Sequence, residues 1–164
     1  MSEVYALANE AMRAKGAADA AALRAQASEL DGTALIAQEV AIAQFDGQKD
    51  YSSWPVGAPV WEEVDGEHQV FTLITPHNAA NYPDARPSNT PALWSIVHTK
   101  DPAAAKAYLA PNGTSGLWMS DEVCVKDGRL WRCKQDNNPY PPGETGTEDW
   151  WEDLGEVPAE DDGL

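Results

Sequence analysis

The chain is short of cations, cysteine and phenylalanine, and it has no long apolar run. Lysine and arginine number 11 against 27 aspartates and glutamates, giving a formal net charge of -16 over 164 residues. Phosphate backbones are held by clustered Lys and Arg, so nucleic acid is not expected as a partner. An anionic membrane surface is disfavoured on the same ground. No apolar stretch approaches the roughly 20 residues of a membrane span, so no membrane insertion is expected. Met1-Ser2-Glu3 opens without the basic stretch or apolar core of a secretory signal. Cys124 and Cys133 allow at most one bridge and are too few for a structural zinc site. Their spacing permits a disulfide without indicating one, and a reduced pair is expected.

Catalytic constellations are missing too. His68, His77 and His98 are scattered, with no ligand-type spacing between any two. Glu62-Glu63 and Asp121-Glu122 are acidic pairs, but neighbours on a strand point to opposite faces. They do not supply the facing carboxylates that glycoside hydrolysis uses, about 5–9 Å apart. Glu148 and Asp149, beside Trp150, fit better as acceptors for sugar hydroxyls. There is no glycine-rich phosphate loop or calcium loop. No catalytic residue, metal or cofactor is expected, and the chain reads as a non-enzyme.

Proline and tryptophan are absent from residues 1–45, where alanine, the best helix former, dominates. Ser2 with Val4, Leu7, Ala8 and Met12 predicts a capped helix with a narrow apolar stripe. Gly16 predicts a bend or break. Helix resumes from Ala17 to Leu30, Asp31-Gly32 is a stop, and Thr33 caps a further helix running to Ala43. Narrow alanine stripes bury little and need a packing partner. Residues 1–45 are therefore expected to serve assembly, separable from a self-contained remainder.

All twelve prolines and all seven tryptophans fall in 46–164. Asp-Gly, Asn-Gly and Pro-Gly turns separate short β-type runs such as Gln69–Ile74 and Val123–Val125, the pattern of small β-modules with long loops. A repeat is visible. Trp54, Val60, Asp65-Gly66, Val70–Leu73 and Pro91-Ala92-Leu93-Trp94 align with Trp118, Val123, Asp127-Gly128, Leu130–Cys133 and Trp150-Trp151. The expected fold class is α+β: an N-terminal helical region, then two small antiparallel β-modules with long loops. The boundaries expected are 1–45, a first, divergent module at 46–100, a linker at 101–116, a second module at 117–155 and a mobile acidic tail at 156–164. A two-residue loop at Asp127-Gly128 pairs Val125 with Leu130 and Cys124 with Trp131.

Stacking on aromatic rings is the best-supported chemistry, because a pyranose ring exposes a C–H face that packs on a flat π-system. The tentative set is Trp118, Trp131, Gln135, Tyr140 and Trp150, with Asp136, Asn137 and Asn138 in the same loop. Weaker first-module candidates are Trp54, Trp61 and Tyr82. Trp131 sits mid-strand and faces either core or ligand. One of Trp150 and Trp151 must close so small a core, and Trp151 is the expected one.

The run Asp121-Glu122-Val123, Asp127-Gly128-Arg129-Leu130-Trp131-Arg132-Cys133-Lys134-Gln135 and Trp150-Trp151 resembles the small chitin-binding-type carbohydrate-binding modules of families 5 and 12. Segment 51–97 is similar but departs at Gln69, where that family carries an aromatic. The whole arrangement, with Val4–Met12, His77–Tyr82 and Pro91–Trp94, resembles small structural proteins of tailed bacteriophages and prophages. That resemblance implies a virion component, made in the host bacterial cytoplasm and located in a tail, fibre or capsid-decoration layer. It implies other virion proteins as partners through 1–45, and a cell-surface polysaccharide as a partner in host adsorption. A homo-oligomer, with a trimer suited to a fibre, is also implied. Two alternatives stand beside it: a purely architectural virion protein with its aromatics buried at protein interfaces, and the accessory binding subunit of a cell-wall hydrolase.

Overall fold

A computed structural model describes residues 2–157, without the side chains of 2–10, 12 and 13. The predicted tail at 156–164 falls outside it from 158 on. Helix α1 spans Ser2–Gln26. At 1.5 Å per residue it is about 37 Å long. It runs straight through Gly16, contrary to the expected break. One glycine costs roughly 1 kcal/mol of helix propensity relative to alanine, which the surrounding alanines offset. A short turn at Ala27–Glu29 leads to α2, Gly32–Ile36. Its cap is Asp31, whose carboxylate accepts from Ala34 N at 2.8 Å. Thr33, the expected cap, instead uses its hydroxyl to accept from Lys100 N at 2.9 Å. The predicted helix to Ala43 ends early. Ile42 is extended and buried, and Ala43–Gln44 forms strand β1.

The first sheet has the order β1-β2-β3-β4, with β2 at Pro59–Val64, β3 at Glu67–Leu73 and β4 at Trp94–Ile96. The second repeats it as β5-β6-β7-β8, with β5 at Lys106–Ala107, β6 at Val123–Lys126, β7 at Arg129–Cys133 and β8 at Trp151–Glu156. The α+β class holds, but neither sheet is purely antiparallel. β1 pairs parallel to β2, and β5 parallel to β6. These two-residue edge strands lay in the stretches expected to be helix and linker. The predicted register is met, with Val125 opposite Leu130 and Cys124 opposite Trp131. Both Asp-Gly turns have positive φ at both central residues, 53° and 81° for Asp65-Gly66 and 54° and 74° for Asp127-Gly128. That is the mirror-image turn whose twist matches a hairpin.

The helical region does not stand apart. Leu23, Ala27, Leu35, Ile36 and Ile42 form one core cluster with Val70 and Val97 of the first module. The first sheet's other core gathers Tyr51, Ala58, Val60, Phe71, Leu73, Ala79 and Trp94. Tyr51 is its hub. It stacks on Phe45, meets Trp54 and Trp94 edge-on at 4.8 and 5.2 Å, and its hydroxyl accepts from Asp46 N. By contrast, residues 14–19 of α1 are exposed. The helix therefore docks by its last turn, and residues 14–19 are left unpacked.

The two modules pack together. Val123 N donates to Thr99 O at 2.9 Å, and Gln69 Nε2 donates to Ala107 O at 2.8 Å. Lys106 Nζ lies 2.6 Å from Glu39 Oε2. His98 stacks flat on Trp118 with ring centroids 3.5 Å apart, and its Nδ1 lies 3.0 Å from Glu122 Oε1. A linker at 101–116 is thus replaced by a strand and a shared seam.

Candidate binding cleft

The second module places its aromatics in three different environments. Trp118 is 2% exposed, sandwiched by His98 and Tyr108, with Nε1 donating to Leu109 O. It is a seam and core residue, not a ligand contact. Trp151 is 4% exposed and joins Trp118, Cys124 and Cys133 in the module core, as expected. Both cysteines are fully buried and unbridged. Burial pushes both thiols up; Cys133 adds to the rise at Cys124, and Glu122 and Asp136 add to that at Cys133.

Trp131 is the half-buried ring. Its Nε1 donates to Lys126 O at 3.3 Å, which fixes the indole on β7. Gly143, with φ of 81°, brings the following loop against it, and a Cβ there would sit 3.3 Å from the ring. Between this ring and the loop lies a cleft of about 350 Å³, lined by Trp131, Gly143, Glu144, Thr145, Thr147, Glu148, Trp151 and Asp153. That volume falls within the roughly 300–1,000 Å³ of ligand clefts. The loop is held by its own bonds: Thr147 Oγ1 donates to Glu144 O at 2.8 Å, and Trp151 Nε1 to Tyr140 O at 2.8 Å.

Tyr140 and Trp150 form a separate pair, edge to face at 5.0 Å, with Tyr140 45% exposed. Trp150 is only half-buried, so it fits the expected exposed partner in part. Neither ring lines the Trp131 cleft. The loop amides and acids mostly close the backbone. Gln135 Nε2 donates to Asp149 O, and Asp136 accepts from Ser120 N. Asn138 is fully buried, donating to Cys133 Sγ and Trp150 O and accepting from Tyr140 N. Asn138 is therefore a loop organiser rather than the sugar contact its sequence neighbourhood suggested. The Asx turn it makes with Tyr140 was its one legible signal.

The first-module candidates do not converge. Trp54 lies under the Arg24 guanidinium, 4.4 Å from its ring centre, with Lys49 Nζ at 5.5 Å. Trp61 stacks on His68 at 4.5 Å beside the inter-module seam. Tyr82 is exposed and meets His77 edge-on at 5.8 Å. Gln69, at the position matching Trp131, is 2% exposed and bonded to β5. The second module covers the place where a first-module platform would be.

Among the described residues, no cluster of His, Cys, Asp or Glu could hold a metal ion, and no helix is long and apolar enough to cross a membrane. Comparison with family models, curated proteins and solved structures gives no match.

Proposed function

We propose that the chain is a non-enzymatic structural protein of a tailed-phage virion that binds host-surface glycan through the second module. The observation that supports this reading best is the Trp131 cleft. A flat ring fixed by its own indole hydrogen bond, with oxygen acceptors around it, suits a pyranose: dispersion on one face, hydroxyl bonds at the rim. The exposed run of α1 gives the attachment arm, and many copies in a particle turn weak single sites into useful avidity. Oligomerisation and contacts with other virion proteins belong to this arm.

The test is a pull-down of the purified chain on washed bacterial cell walls and insoluble chitin. Binding that Trp131→Ala abolishes and Trp150→Ala weakens less supports the Trp131 cleft. A folded sample that binds neither material removes the glycan role. The architectural alternative would then lead, favoured by Trp118 and Gln69 being spent at the inter-module seam.

A further inference from the structure

The charge around Trp131 narrows the ligand class. No Lys, Arg or His lines the cleft, whereas Glu144, Glu148 and Asp153 do. Three cations lie beside it and are already engaged, the first being Lys134, whose Nζ donates to the Glu148 backbone oxygen at 3.3 Å. Lys126 Nζ lies 3.1 Å from Asp127 and 3.5 Å from Glu144. Arg129 Nε reaches both oxygens of Asp153, at 3.1 and 2.9 Å, and its NH1 lies 3.9 Å from Glu156. Lys126 and Arg129 thus share four carboxylates, and none of the three cations lines the cleft. Among the described residues, the Glu148 carboxylate has neither a hydrogen-bond nor an ion-pair partner. Thr147 is spent on the loop, which leaves Thr145 as the one further side-chain hydroxyl in the lining.

A wall of this kind accepts hydrogen bonds and offers few. An N-acetyl carbonyl needs a donor, and the lining is poor in donors. A phosphate- or carboxylate-bearing polymer meets like charge at the cleft and on a chain of net charge -16. A free ammonium group meets carboxylate acceptors, and the indole face adds cation–π attraction.

Resting on the glycan reading above, we propose that the Trp131 cleft selects amino sugars with free amino groups, that is, de-N-acetylated glucosamine polymers. One ring stacks on Trp131 and its ammonium pairs with Glu148.

The test titrates the full chain with three soluble probes, followed by calorimetry: glucosamine oligomers at a pH that keeps the amine protonated, N-acetylglucosamine oligomers of equal length, and polyglycerol phosphate. The expected result is at least about tenfold tighter binding of the glucosamine oligomer, weakening with salt. Glu148→Gln should remove most of that preference while sparing residual binding, and Trp131→Ala should abolish binding of both sugars. Equal or tighter binding of the acetylated oligomer, or of the phosphate polymer, overturns the class while leaving a glycan site in place. No binding of any probe by a protein with native circular dichroism overturns both this inference and the glycan reading.

Discussion

Two truncations separate the arm of this protein from its core. Leu23, Leu35, Ile36 and Ile42 are each 5% exposed or less and pack on Val70 and Val97. Burying a Leu or Ile side chain stabilises by roughly 1.5–3 kcal/mol, so the four together contribute about 6–12 kcal/mol. Removing residues 1–45 deletes all of them and also strips β1 from β2. Whole-domain stability is only about 5–15 kcal/mol, so that truncation is expected to unfold the first module. Removing residues 1–20 takes away only the leading part of α1, of which residues 14–19 are exposed, and keeps Leu23 and Arg24. It should shift the melting temperature by no more than about 4 °C. Thermal melts followed by near-ultraviolet circular dichroism and tryptophan fluorescence measure both. Light scattering on the same samples reads assembly, which the shorter truncation should weaken without unfolding. A chain lacking 1–45 that melts cooperatively near the full-length temperature would refute the packing argument and restore a separable helical region.

Other outcomes follow from single positions. Gly32→Ala should destabilise by about 1–3 kcal/mol in a denaturant titration, because a Cβ there would stand 2.2 Å from the backbone oxygen of His98. Both thiols should resist a thiol reagent at mildly alkaline pH and react together on unfolding, since burial raises Cys124 and Cys133 alike. Burial also pushes the Tyr108 phenol up to about 12, from an ordinary 10.0. The folded state holds its neutral form, so that contribution is intact below pH 10 and falls as the pH rises from 10 towards 12. Tyr108→Phe should flatten the alkaline loss in a melting series.

Much of the β architecture was legible because its signals are local. An Asp-Gly pair between two apolar runs favours the two positive φ values of a tight hairpin, so Asp65-Gly66 and Asp127-Gly128 set both registers from four residues. The repeat was legible for the same reason, and it extends further than the aligned residues do, to a parallel edge strand in each module. Those strands were not legible. Ala43-Gln44 and Lys106-Ala107 have no β pattern of their own, and they are extended because β2 and β6 offer unpaired backbone beside them. The end of α2 was missed likewise, since burial of Ile42 overrides the helix propensity around it.

The site was less legible than the fold, because exposure of a tryptophan depends on contacts far away in sequence. Trp118 and Trp131 both follow a leucine in short runs of mixed character, yet they end in opposite roles. His98, 20 residues upstream of Trp118, covers one indole face at 3.5 Å and ties it to the first module. Trp131 packs against the module core on one side and meets its own following loop at Gly143, and a cleft stays open between the ring and that loop. Gln69 completes the comparison. It occupies the hairpin position of Trp131, but β5 covers it, so an aromatic there would have had to displace the second module. The divergence of the first module is therefore the condition for docking the second. Docking uses one copy of the repeat as a foundation and leaves the cleft beside Trp131 in the other uncovered.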